Sequence, residues 1–142
     1  EINLYKNLYE DINEYKVTAK TESKLSFRDI LRIIREIAWT HAGVIRYAEG
    51  LKEGMDKLSM ISKELSGITP RNIRERLSKE DLSGACLVLN AILTASSGRY
   101  ESRGSFSRKD FPAENNKKWL KNSCLAYHND ERLFSLSYED VQ

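Results

Sequence analysis

The chain has 142 residues, 23 Lys and Arg against 21 Asp and Glu, a net charge of +2 and 40% apolar residues. That is enough for one hydrophobic core and too short for a large cofactor domain plus a second domain. Two Cys cannot make a disulfide framework, no run approaches the about 18 apolar residues of a membrane span, and the near-balanced charge gives no global field for nucleic acid.

The first predicted element is a helix over residues 2–16, from the apolar spacing of Tyr5, Leu8, Tyr9, Ile12 and Tyr15. Val17 to Leu25 lose the period and read as a solvated linker, so 1–26 form an N-terminal helix and linker ahead of a domain over 27–142. An opening Glu1 in place of Met is expected for a piece of a longer product. No basic, apolar leader opens the chain, and a cytoplasmic location is expected.

Ser26 with Asp29 three positions on is a weak capping box. The stripe Phe27, Ile30, Leu31, Ile34, Ile37, Ala38, His41, Ile45 then predicts a helix over 27–46, with Gly43 inside it. Leu51, Met55, Leu58, Ser62 and Leu65 predict a helix over 48–65, ended by Gly67 in the left-handed position. Thr69-Pro70 reads as an N-cap and first helical position, opening a short polar helix over 70–78. Leu82 to Ala95 is apolar on most of its circumference and is expected to be the central, most buried helix.

Residues 101–116 lose periodicity, and a loop this long points to a functional or docking segment. Lys117–Lys121 read as one helical turn around Trp119. The alternating tail, with Asn129-Asp130-Glu131 between its two runs, reads as a hairpin. The expected fold is mainly α: an antiparallel bundle of about three long helices with a long loop and a small C-terminal β-hairpin.

Little in the chain carries chemistry. His41, Cys86, Cys124 and His128 have the right atoms for zinc but none of the close pair spacings such sites use, and His41 reads as a buried, hydrogen-bonded core histidine. Cys124 and His128 share a strand face with no third group to orient the His. There is no Gly-x-Gly-x-x-Gly and no Gly-x-x-x-x-Gly-Lys-Ser/Thr, so the chain has no dinucleotide site of its own. No catalytic, cofactor-binding or metal residue is assigned. Between Arg99 and Lys121 stand seven Lys/Arg and three acids, interleaved with Tyr100, Phe106, Phe111 and Trp119. That pattern suits a docking loop first, a solvated loop with buried anchors second, and single-stranded nucleic acid last.

The string Glu101-Ser102-Arg103-Gly104-Ser105-Phe106-Ser107-Arg108-Lys109-Asp110-Phe111-Pro112 resembles Glu-Ser-Arg-Gly-x-His-x-Arg-x-Asp-Tyr/Phe-Pro. That signature marks the C-terminal domain of the succinate dehydrogenase and fumarate reductase flavoprotein family, with L-aspartate oxidase and adenylylsulfate reductase as relatives. Trp119-Leu120-Lys121 and Leu125-Ala126-Tyr127 match further family strings. Upstream, Ala38 to Arg46 resembles Met-Trp-x-x-x-Gly-Ile-Val-Arg, and Glu49-Gly50-Leu51 falls where the family has Glu-Gly-Leu. The likeness runs over about 27–138, in order; the segment before Phe27 has no match. Phe106 stands where the family has His, a departure from the family string.

The resemblance implies a helical domain, inactive alone, that packs on the FAD-binding and capping domains of a dicarboxylate oxidoreductase. The parent would hold FAD, with an iron-sulfur subunit as a further partner and a peripheral place on a membrane. It implies no catalytic residue in this chain. The expected docking loop comprises Glu101, Arg103, Gly104, Phe106, Arg108, Asp110, Phe111, Pro112 and Trp119, with Arg103 and Arg108 free to pair with carboxylates. The tail beyond Pro112 resembles the dehydrogenase and reductase branch, the alternatives being an L-aspartate oxidase-type parent or a free-standing interaction module using loop 99–121.

Overall fold

Ser26 opens the first helix as its sequence predicts: its Oγ accepts the Asp29 N–H at 3.2 Å, and the Asp29 carboxylate accepts the Ser26 N–H at 3.2 Å. The computed structural model describes residues 25–131 and 133–141. Helix α1 is Phe27–His41, strand β1 Ile45–Arg46, α2 Ala48–Gly67 and α3 Ile73–Gly98. Strand β2 is Ser107–Arg108, α4 Asn116–Trp119, β3 Lys121–His128 and β4 Leu133–Asp140. The helix expected over 2–16 lies outside the described residues.

Short connectors return each long helix beside its predecessor. The core between them is Ile30, Ile34 and Ile37 of α1, Leu51, Leu58, Ile61 and Leu65 of α2, and Leu82, Cys86, Leu89 and Leu93 of α3, with Ile68 below. Helices α1 and α2 approach closely at Gly54, where a Cβ would stand 2.6 Å from the His41 Cβ. His41 is buried, and its Nε2 lies 3.4 Å from the Lys57 Nζ. The fold is the expected three-helix bundle with a C-terminal hairpin.

Several local expectations are corrected. Helix α1 stops at His41 rather than at 46, because Arg46 turns back and donates from Nε and Nη2 to the Ala42 and Gly43 carbonyls. Gly43 therefore sits outside the helix, and Ile45 lies exposed in β1. Gly67 is the last residue of α2, not a left-handed cap; Gly104 is the only glycine at positive φ among the described residues.

The polar helix over 70–78 and the apolar helix after it are one 26-residue helix, α3. Its N-cap is Asn72, not Thr69: the Asn72 side chain accepts the Glu75 N–H at 2.9 Å, and Glu75 accepts the Arg71 N–H. No Gly or Pro falls between 78 and 82, so nothing breaks the helix when the apolar stripe lapses. Nor is α3 buried all round: Leu77 and Val88 are 59% and 60% exposed.

The hairpin pairs Lys121 with Asp140 through to His128 with Leu133, antiparallel. It rests on the end of α3, where the Tyr138 hydroxyl donates to the Gly98 carbonyl at 2.6 Å and a Cβ on Gly98 would collide with Leu136.

Leu89 is 4% exposed in the middle of α3. Leu89→Ala should cost about 2–5 kcal/mol in denaturant unfolding. A loss below about 0.5 kcal/mol would show that this position does not face the core.

Candidate functional site

The loop between α3 and α4 is built on charge. Glu101 and Arg108 are 0% and 1% exposed, inside the chain rather than on its surface. Arg108 faces Asp110 with two parallel hydrogen bonds, Nε to Oδ1 at 2.8 Å and Nη2 to Oδ2 at 2.6 Å. Its remaining Nη1 donates to the Ser96 and Arg99 carbonyls at 2.7 and 3.0 Å. Those are carbonyls at the C-terminal end of α3, so a cation sits where the helix dipole is negative.

Asp110 acts at the opposite kind of terminus. Its Oδ2 accepts the Ala48 N–H at 3.0 Å, at the start of α2, whose own N-cap residue, Tyr47, makes no side-chain cap. Arg46 completes the set. It donates to the α1 end at Ala42 and Gly43 and, from Nη1, to Ser96 Oγ at 3.1 Å. Three helix termini are thus joined by three charged side chains.

Glu101 holds the outer half of the loop. Its Oε1 accepts from Arg99 Nη2 at 2.6 Å and Arg103 Nε at 2.9 Å, and its Oε2 from the Asn115 N–H at 2.9 Å. Arg99 continues to the Trp119 and Lys121 carbonyls and to Ser123 Oγ, which ties the loop to the hairpin. Arg103 pairs also with Glu114 and donates to Asn116. Ser102 Oγ accepts the Arg108 N–H at 2.8 Å and donates to the Phe111 carbonyl at 2.9 Å. Arg103 and Phe106 exchange backbone hydrogen bonds around Gly104, whose φ of 56° favours glycine. Strand β2 then lies parallel to β1, with Ile45 opposite Ser107.

The aromatic residues follow the charges. Phe111, Tyr100, Trp119 and Tyr138 meet edge to face in sequence, with ring centroids 5.2, 5.8 and 5.0 Å apart. The Arg108 guanidinium lies 5.1 Å from the Phe111 ring centroid. Phe106, the departure from the family string, packs under Arg46 at 5.1 Å.

Burial would raise the Glu101 carboxyl. The Arg103 hydrogen bond, the Asn115 N–H and Arg99 outweigh it and hold the group at about 2. The Asp110 carboxyl is held at about 2 by Arg108, against the opposing effect of burial, with help from the Ala48 N–H. Both stay ionised and paired at neutral pH, so neither serves as a proton donor or acceptor.

The other chemical candidates stand apart. Cys86 is buried in α3, and His128 Nε2 lies 2.8 Å from Ser135 Oγ on the hairpin. Burial and Glu139 push the Cys124 thiol up, the opposite of an activated nucleophile. Among the described residues no three His, Cys, Asp or Glu side chains gather as a metal site. Gly98 ends a helix against the hairpin and Gly104 sits in a closed turn, so neither opens a strand-to-helix phosphate cradle.

Of the loop's predicted residues, Glu101, Arg103, Arg108 and Asp110 form the internal network, while Phe111 and Pro112 face outward. Three contributors carried no role in the sequence reading. Arg46 was part of a quoted string, Arg99 was counted only as charge, and Ser102 was one letter of the motif. An Arg just past a helix end is a readable signal for carbonyl capping.

Residues 32–142 match the family described as the fumarate reductase flavoprotein C-terminus. The chain belongs to this family. It is 25% identical over 118 residues to an uncharacterized FAD-dependent oxidoreductase of Methanocaldococcus jannaschii, covering 83% of this chain and 21% of that protein. It is 38% identical over 79 residues to the L-aspartate oxidase of Pyrococcus abyssi, covering 56% of this chain and 13% of that one. The chain therefore spans about a fifth or less of the length of these relatives. Its fold matches that of a chain of Escherichia coli quinol fumarate reductase with a TM-score of 0.78 at 16% identity, over 98% of this chain and 24% of that chain.

Acid stability follows from the two carboxylates. Their folded values lie below the about 4.3 of a free Glu and about 3.9 of a free Asp, so their contribution is present above those values. It is lost as pH falls from about 4.5 toward about 2. Thermal melts should show Tm dropping through that window, and Glu101→Gln should flatten the drop. Asp110→Ala should cost about 3–5 kcal/mol, because it strands a buried arginine. An equal pH slope in wild type and Glu101→Gln would contradict the assignment.

Proposed function

We propose that this chain is the helical domain that completes an FAD-dependent oxidoreductase acting on a small dicarboxylate such as fumarate or succinate. It docks on the FAD-binding and capping parts of the longer protein and supplies no catalytic residue. The observation that carries this reading is the family match over 32–142 on a loop whose charges are satisfied within the chain.

Such a loop is a preshaped surface. Glu101, Arg103, Arg108 and Asp110 set its shape, and Gly104 lets it turn. Phe111 and Pro112, with Tyr100, Phe106 and Trp119 behind them, present its aromatic edge. Exposed apolar residues border it: Val44 and Ile45, 66% and 65% exposed, precede the bridge to β2, and Trp39 at 87% lies on the α1 turn before them. Exposed apolar residues at such a border suit a domain interface. Nucleic acid is disfavoured as a partner, because Arg99, Arg103, Arg108 and Lys121 are already paired within the chain.

An iron-sulfur subunit remains a partner of the longer protein under this reading. Among the described residues no helix is long and apolar enough to cross a membrane.

The 142-residue chain alone is expected to purify without flavin absorbance and without fumarate reduction, while the longer product containing it holds FAD. Ile45→Asp should leave the stability of the chain alone within about 0.5 kcal/mol. In the longer product it should speed flavin release. A flavin-loaded chain that reduces fumarate by itself would sink the reading, as would an Ile45→Asp product indistinguishable from wild type.

A further inference from the structure

The pairing inside the loop leaves a remainder. Between Arg99 and Lys121 the three acids, Glu101, Asp110 and Glu114, are all held by arginines, and Lys121 pairs with Asp140 on the hairpin. Lys109, Lys117 and Lys118 are exposed, and among the described residues their ammonium groups enter no ion pair. Seven cations against three acids in this segment exceed the net charge of +2 of the whole chain, so the rest of the sequence is net negative. The positive excess is segregated to one loop.

It stands beside the aromatic edge. Lys109 lies two residues before Phe111, and Lys117 and Lys118 precede Trp119. Phe111 and Trp119 are the rings on either side of Tyr100, at 5.2 and 5.8 Å. Backbone contacts fix both sites. The Lys109 N–H donates to the Arg46 carbonyl at 2.8 Å, and the Asn115 side chain accepts the Lys118 N–H at 3.2 Å. An ammonium is strongly hydrated, and the centres of interfaces are depleted of Lys. Lysines flanking aromatic anchors suit an interface rim, where charge sets the rate and salt dependence of docking.

We propose that the surface of the longer protein on which this loop docks carries carboxylates opposite Lys109, Lys117 and Lys118, around an apolar seat for Phe111 and Ile45. This rests on the docking reading above and names the chemistry of the partner face. The arginines shape the loop from within, and the lysines meet the partner at its rim. A free dicarboxylate is disfavoured as the occupant, because all three ammonium groups are in solvent and a small anion needs convergent, desolvated donors.

Flavin release from the longer product across a salt series tests it. The triple variant Lys109→Glu/Lys117→Glu/Lys118→Glu should release flavin at least about fivefold faster than wild type at about 0.02 M salt. The gap should close to under about twofold at about 1 M, where a charge reaches only about 3 Å. Lys63→Glu, on the exposed surface at the other end of α2 from Ala48, should match wild type at both. In the 142-residue chain the triple variant should keep its melting temperature. A fall would show that these lysines are paired within the chain and would overturn the proposal. Ile45→Asp separates two failures. Faster release with Ile45→Asp but not with the triple variant would remove the carboxylate rim and leave docking standing; no effect from either would remove docking itself. Slower release in the triple variant would mean a basic partner face. A raised KM for the dicarboxylate with unchanged flavin release would assign the lysines to substrate capture, and either result overturns the proposal.

Discussion

The Arg108–Asp110 pair is the constraint on which this end of the molecule depends. Three helix termini meet there: carbonyls at the ends of α1 and α3, and an N–H at the start of α2. Burying such groups without partners costs roughly 1–3 kcal/mol each. One bidentate pair addresses two of the termini at once, with its cation on the carbonyls and its anion on the N–H. Each charge is desolvated, and each compensates the other. The loop is long because it must leave α3, turn at Gly104 and return to place both side chains at that junction.

The same solution recurs around the bundle. Neither α2 nor α3 has a basic residue in its last turn. Arg46 serves the end of α1, Lys79 the end of α2 through the Ser66 and Ile68 carbonyls, and Arg108 the end of α3. Each cation comes from outside the helix it caps; the Lys79 and Arg108 caps are also tertiary contacts, and Arg46 adds one through Ser96 Oγ. This explains how a chain with modest apolar content defines the ends of its helices: ordered charges fix where each one stops.

What could be read from the residues follows from which interactions are local. The stripes of α1 and α2, the Ser26 box and the hairpin all depend on neighbours a few positions apart, and they appear in the structure. Helix α3 was divided because its apolar period lapses near Ser78, yet helix continuity needs only the absence of a breaker. The Asn72–Glu75 cap is equally local and was masked by the more conspicuous Thr69-Pro70. For the loop, the charged residues were identifiable and their partners were not. Arg103 and Arg108 looked free to reach another surface, whereas folding brings Glu101, Asp110 and the helix ends to them. No spacing rule in the sequence encodes an acceptor that arrives from another helix.

The position of this junction in the chain orders the folding process. Ala48 and Asp110 are 62 residues apart, and Arg46 and Ser96 are 50 apart. Each helix, and the hairpin, closes over much shorter distances, so these elements can form while the charged junction is still open. Interactions that form after the transition state barely affect the rate of folding, and they slow unfolding. On that order the arginine junction is expected to lengthen the lifetime of the folded chain more than it speeds folding.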